Sequence, residues 1–148
     1  MTLSVVVPVF NEEAVLVECQ RRLAAVLAGL GATYEIIYVD DGSTDQTIHL
    51  LKRLQRSHPG TSYARLTRNF GKEAAMSAGL KLATGEAVVV IDADLQDPPE
   101  FLPEMVAAWR GGADVVNMRR SVRLGESWWH EPAMAAAPLS KSRSGAVR

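Results

Sequence analysis

Val88–Glu100 reads VVVIDADLQDPPE. Four apolar residues, Val88–Ile91, run straight into the carboxylates Asp92, Asp94 and Asp97. A short β-branched run with no polar interruption is the pattern of a central parallel strand, buried on both faces. Its acidic terminus is then the carboxyl end of a buried strand, which is where open α/β sheets take their ligands.

The sequence on either side supports that placement by alternating strand and helix patterns. LSVVVPVF (3–10) reads as the first strand. NEEAVLVECQRRLAAVLAGLG (11–31) reads as a helix, with Leu16, Cys19, Leu23, Val26, Leu27 and Leu30 on one face. Asn11 suits its N-cap, Glu12 and Glu13 its positive end, and Gly31 its exit. YEIIYVD (34–40) is a second strand, and STDQTIHLLKRLQRSH (43–58) a second helix with Ile48, Leu51 and Leu54 inward. SYARLT (62–67), GKEAAMSAGLKLATG (71–85) and EAVVVID (86–92) follow as strand, helix and strand. PPEFLPEMVAAWR (98–110) is a fourth helix and ADVVNM (113–118) a fifth strand. The expected class is α/β: a Rossmann-like, mostly parallel sheet flanked by helices on both faces.

The 148 residues, 47% apolar and 22% charged, suit one globular domain. A net charge of −1 gives no general case for binding nucleic acid. Cys19 is the sole cysteine, so an intramolecular disulfide or a cysteine-based zinc cluster is excluded and a reducing, cytoplasmic setting is expected. No apolar run approaches the roughly 20 residues of a membrane span. MTLSVVVPVF has the pattern of a strand, not of a signal peptide.

The topology gathers three polar clusters at one sheet edge: PVFNEE (8–13), DDGSTD (40–45) and DADLQD (92–97). The first also reads as an ordinary helix cap. The second also reads as a plain strand–turn–helix junction, with Gly42 at the turn and Ser43 or Thr44 as cap. The third is more specific. Residues two apart in an extended segment point the same way, so Asp92 and Asp94 present two carboxylates to one point. Like charges so placed call for a cation or a proton between them. Oxygen-only ligands, with Gln96 adding a carbonyl oxygen, suit Mg²⁺ or Mn²⁺.

VVVPVFNEE, IIYVDDGSTDQT, RNFGKEAAMSAGL and VVVIDADLQDPPE stand in the order and spacing of family 2 glycosyltransferases. The chain resembles in particular the polyprenyl-phosphate sugar transferases, such as dolichol-phosphate mannose synthase and the bactoprenol glucosyltransferases, over about residues 3–127. The resemblance implies a GT-A fold. It implies that Pro8, Phe10 and Glu12 line a nucleoside pocket, and that Asp41, with Asp40, accepts a hydrogen bond from the base. It assigns Asp92, Asp94 and Gln96 to a D-x-D-x-Q metal site, with Asp94 catalytic through the cation. Arg68 and Lys72 suit the donor's phosphates, or read as solvated charge at a helix start. In RRSVRLGES (119–127), Arg120 and Arg123 match catalytic positions that face phosphate, or are plain exposed arginines.

The reaction implied is metal-dependent transfer, with inversion, from a nucleoside diphosphate sugar (UDP- or GDP-linked) to a polyprenyl phosphate. Implied partners are those two substrates, a membrane surface and a second copy in a homo-oligomer. The alternative is an inactive nucleotide-binding module of the same fold. The resemblance stops near Trp128, where WWHEPAMAAAPLSKSRSGAVR shows no apolar period and holds Pro132 and Pro138. Residues 1–127 are expected to form the nucleotide-sugar-binding domain without its acceptor side, and 128–148 a disordered tail. A C-terminally truncated chain of this kind is expected to show little transfer.

Overall fold

The structure, a computed structural model, describes residues 2–116 and 137–138. Its strands are β1 (Thr2–Val9), β2 (Thr33–Asp40), β3 (Thr61–Arg65), β4 (Ala87–Val90) and β5 (Ala137–Pro138). Its helices are α1 (Leu16–Gly29), α2 (Thr47–Ser57), α3 (Lys72–Leu82) and α4 (Leu102–Arg110), the last entered through a 3₁₀ turn at Pro99–Phe101. The sheet order is β3-β2-β1-β4-β5. β1 to β4 are parallel, and β5 pairs antiparallel with Ala87 and Val88 of β4. The chain winds outward from β1 to β3, then returns past β1 to place β4 on its other side. The order therefore reverses between β1 and β4, which opens a crevice at their carboxyl ends.

Alternation along the strands sorts the core into two layers. Leu3, Val5, Val7 and Val9 of β1 and Ile36 and Tyr38 of β2 meet Leu16, Cys19, Leu23 and Leu27 of α1, Leu51 and Leu54 of α2, and Leu102, Met105 and Val106 of α4. Burial of each such aliphatic side chain stabilises by about 1.5–3 kcal/mol. On the opposite face Ile37 and Val39 pack against Ala75 of α3. That helix lies close because Gly79 has no side chain: a Cβ there would fall 2.2 Å from Val6 Cγ1.

The amino ends of the strands are closed by polar bonds. Ser4 Oγ donates to Glu35 Oε1 at 2.5 Å and accepts from the Gly85 N–H at 2.8 Å. The Thr84 N–H and hydroxyl donate to the same Glu35 oxygen at 2.7 and 2.9 Å. Burial alone would raise the Glu35 pKa, but these bonds from Ser4, Thr84 and Gly85 outweigh it and hold the carboxyl below its ordinary value. No helix among the described residues is long and apolar enough to cross a membrane.

Three local expectations are corrected. Asn11 does not cap α1: that helix begins at Leu16 behind Val15, and Asn11 sits at φ +53° with its side chain turned to another loop. Ser43 and Thr44 do not cap α2, which starts at Thr47. The strand expected over 113–118 is an isolated bridge at Val116 within the described part, and Val115 beside it is 54% exposed, without the two-sided burial an inner strand needs. Asn117 and Met118 lie outside the described residues, as do Arg120, Arg123 and all of the expected tail except the backbone of β5.

Candidate functional site

The loops that follow β1 and β2 are fastened to each other. The Asn11 N–H donates to Ser43 Oγ at 2.9 Å, and Asn11 Oδ1 accepts from the Thr44 N–H at 2.8 Å. The Glu12 N–H donates to Thr47 Oγ1 at 2.9 Å. Glu13 and Asp45 act reciprocally: the Glu13 N–H donates to Asp45 Oδ2 at 3.2 Å, and Glu13 Oε2 accepts from the Gln46 N–H at 2.7 Å. These bonds satisfy backbone donors of both loops just before their helices, and the first N–H of α2, that of Thr47, donates locally to Asp45 Oδ1 at 2.9 Å. Asn tolerates the left-handed backbone that this arrangement demands of residue 11.

Asp41 ties in a third loop. Its carboxylate, 3% exposed, accepts from the Phe70 N–H at 2.8 Å and the Gly71 N–H at 2.9 Å. The Gly71 N–H is shared with Asn69 Oδ1 at 3.0 Å. The close approach depends on Gly42, at φ +75°, where a Cβ would fall 2.6 Å from the Arg68 carbonyl carbon. Asp40 behaves differently from its neighbour because adjacent strand residues face opposite ways. It is fully buried and does not line the cleft. Asp40 Oδ1 accepts from the Ser43 N–H at 3.0 Å, and Oδ2 lies 3.2 Å from Arg65 Nε without an aligned hydrogen bond.

Between the loops lies a cleft of about 320 Å³. Pro8, Phe10 and Glu12 form one wall, and Asp41, Asn69 and Lys72 another. Asp92 and Asp94 close it from the segment that follows β4. Phe10 remains 41% exposed, an apolar ring presented to the opening. Asp94 Oδ1 accepts from the Gln96 N–H at 3.0 Å in a turn made by Leu95 at φ +63°. Non-glycine residues with positive φ are uncommon, and both in the described residues, Asn11 and Leu95, flank this cleft. The Gln96 side chain is exposed and does not line it. Lys72 Nζ lies 2.5 Å from Asp92 Oδ2. Burial, then the charges of Asp94, Asp45 and Asp92, pushes the Glu12 carboxyl above its ordinary pKa, so the mouth carries surplus negative charge.

Of the residues expected at a site, Pro8, Phe10, Glu12, Asp41, Lys72, Asp92 and Asp94 converge here, while Asp40, Arg68 and Gln96 do not line it, the Arg68 guanidinium lying over the Phe70 ring instead. Among the described residues no three His, Cys, Asp or Glu side chains gather into a metal-binding group. Asp92 and Asp94 nonetheless offer hard oxygen donors, and a cationic ammonium already rests on one of them, so the donor set fits a divalent cation. Sequence reasoning missed Asn69 and the fastening roles of Ser43, Thr44, Asp45 and Thr47. Asn69-Phe70-Gly71, with Asn two before Gly, was the available signal for the first.

The sequence profile described as Glycosyl transferase family 2 matches residues 4–145. An uncharacterised glycosyltransferase of Synechocystis sp. is 50% identical over 126 residues, covering 85% of this chain and 40% of the relative. Undecaprenyl-phosphate 4-deoxy-4-formamido-L-arabinose transferase of Pseudomonas aeruginosa is 42% identical over 131 residues, covering 88% and 39%. Among solved structures, a mannosyltransferase from Pyrobaculum calidifontis in complex with GDP-Man and Mn²⁺ superposes with a TM-score of 0.60 at 30% identity, covering 70% of this chain and 31% of its own. The chain thus spans about 40% of the length of the curated relatives it matches.

Proposed function

The chain belongs to glycosyl transferase family 2, and on that ground we propose that its cleft is the donor site of a transferase that moves a sugar from a nucleoside diphosphate to a polyprenyl phosphate. The observation that carries this reading is the convergence of Asp92 and Asp94 with the first loop and Lys72 in one cleft at the β1/β4 crevice. The acceptor class is supported by the named Pseudomonas relative, and the divalent cation by the Mn²⁺ complex of the Pyrobaculum neighbour.

Asp92 and Asp94 would hold the cation, Mg²⁺ or Mn²⁺; Gln96 is assigned to it by resemblance alone, since its side chain does not line the cleft. The bound cation supplies charge neutralisation at the diphosphate as it leaves. Pro8 and Phe10 give the nucleoside an apolar wall, and Glu12 stands over the mouth. Asp41 keeps unused lone pairs after accepting from Phe70 and Gly71. It can therefore accept a ring N–H of the base without releasing the loop. Asp40 would act from behind by fixing the Ser43 turn. The acceptor needs no strong base, because a phosphate monoester with a second pKa of about 6 is largely dianionic at neutral pH. Attack from the face opposite the leaving nucleotide inverts the anomeric carbon. Arg120 and Arg123 are assigned to the phosphates by resemblance, and the enzyme to the cytoplasmic face of a membrane, where the lipid presents its head group.

Titration calorimetry with UDP and with GDP tests the reading. Binding should weaken when metal is chelated and disappear in Asp94→Asn with the melting temperature little changed. Equal binding with and without metal would overturn it.

A further inference from the structure

Among the described residues lining the cleft, four are carboxylic acids, Glu12, Asp41, Asp92 and Asp94, and one is a cation, Lys72. Asp41 already answers to two backbone N–H groups. The ammonium of Lys72 sits on Asp92, with Nζ 2.5 Å from Oδ2. This contact is wet: the lysine side chain is 57% exposed and that of Asp92 27%. Ion pairs so exposed hold weakly and exchange readily.

The base of the lysine is fixed, in contrast to its tip. Lys72 is the first residue of α3. Gly71 before it stands at φ +97°, with its N–H held by Asp41 Oδ2 at 2.9 Å. A flexible four-carbon stem on a fixed root moves its charge over a short arc while the backbone stays still. Asp92 thus has a cation of its own that can step aside.

We infer that Lys72 is an exchangeable counter-ion. It neutralises Asp92 while no divalent cation is bound. When cation and nucleotide arrive together, it cedes that carboxylate to the cation and turns onto the donor's diphosphate. The inference rests on the donor-site reading above. Two cations on one carboxylate oxygen repel each other, so metal and ammonium compete for Asp92. A diphosphate removes the competition by giving the ammonium a second anion. The protein then binds metal poorly alone and well with nucleotide, and Lys72 strengthens the coupling that the diphosphate and the cation already share.

Mn²⁺ uptake by the full 148-residue chain, followed through the electron paramagnetic resonance of the free ion, tests this for the wild type, Lys72→Met and Lys72→Arg. Without nucleotide, Lys72→Met should bind Mn²⁺ up to about fivefold more tightly than wild type, the range an exposed ion pair spans. Lys72→Arg should stay near wild type. With saturating UDP or GDP the order should reverse, with Lys72→Met holding Mn²⁺ about five- to tenfold more weakly because the phosphate has lost a charged donor. If Lys72→Met binds Mn²⁺ alone no better than wild type, while nucleotide still promotes Mn²⁺ binding in both, the exchange is refuted and the donor-site reading stands. If neither protein takes up Mn²⁺ even with nucleotide, both fall.

Discussion

Gly42 and Gly31 separate two costs that a glycine substitution usually mixes. Both have positive φ, +75° and +60°. An alanine at either must adopt a left-handed backbone, at about 1–2 kcal/mol, partly offset by about 0.4–1 kcal/mol from the stiffer unfolded chain. At Gly31 nothing lies within 4 Å of the added Cβ. At Gly42 the Cβ would stand 2.6 Å from Arg68 C, 2.7 Å from Asn69 N and 2.9 Å from Arg68 Cα. All three are backbone atoms, so no rotamer change relieves the overlap, and the β3–α3 loop has to move. Overpacking of this kind costs about 1–3 kcal/mol. Gly31→Ala should therefore lose roughly 1 kcal/mol, and Gly42→Ala roughly 2–4 kcal/mol. Urea unfolding midpoints at unchanged m-value measure both. Nucleotide binding should fall only in Gly42→Ala, because only there are Asp41 and Lys72 displaced from each other. Equal losses of stability in the two variants would refute the packing argument.

Asp41→Ala should free the Phe70 and Gly71 amides, raising their hydrogen-exchange rates on the order of tenfold or more, a bond to a charged acceptor being worth about 1.5–3 kcal/mol. It should also weaken nucleotide binding more than it lowers the melting temperature; unchanged protection at both amides would count against the clamp. Glu35 and Glu12 should show opposite pH slopes. The folded pKa of Glu35 lies below its ordinary 4.5, so its stabilisation is present above that value and lost as pH falls through the depressed folded value. Glu35→Gln should then cost most at neutral pH and little in acid. Glu12 has its folded pKa raised, so its contribution is favourable below the ordinary value and is lost as pH rises through the raised one. Glu12→Gln should stabilise the protein at pH 7 relative to pH 4. Unfolding free energies of the three proteins across that range decide both signs, and parallel slopes would contradict them.

The parallel sheet was legible because β1, β2 and β4 carry apolar runs ended by polar residues, and because the intervening helices are long enough to carry the right-handed crossovers. The acidic end of β4 was legible for the same reason. The role of Asn11 was not. An Asn followed by two Glu before an apolar periodic run satisfies the local rule for a helix cap. Its actual partners, Ser43 and Thr44, are 32 and 33 residues away. Local sequence carries no mark of such a bond. Asp40 and Asp41 were read together because they are identical neighbours, yet the pleat sends one under the sheet edge and the other into the cleft. The fifth strand was expected over 113–118 because the apolar pair Val115–Val116 looks like a strand in isolation, whereas among the described residues the strand that joins the sheet beside β4 is the distant Ala137–Pro138.

The fastening of the first two loops bears on the kinetics of the molecule. It joins residues 11–13 to residues 43–47 through backbone N–H donors on both loops and side-chain oxygen acceptors on the other, across roughly thirty residues of chain. None of those bonds can form until α1 has docked and β1 and β2 have found their register. They close a path already drawn by the hydrophobic layer, and so belong to the late, downhill side of folding. Their loss would leave the folding rate nearly unchanged and speed unfolding instead. The loops that present the cleft are in this sense a latch on the lifetime of the native state, independent of how quickly that state is reached.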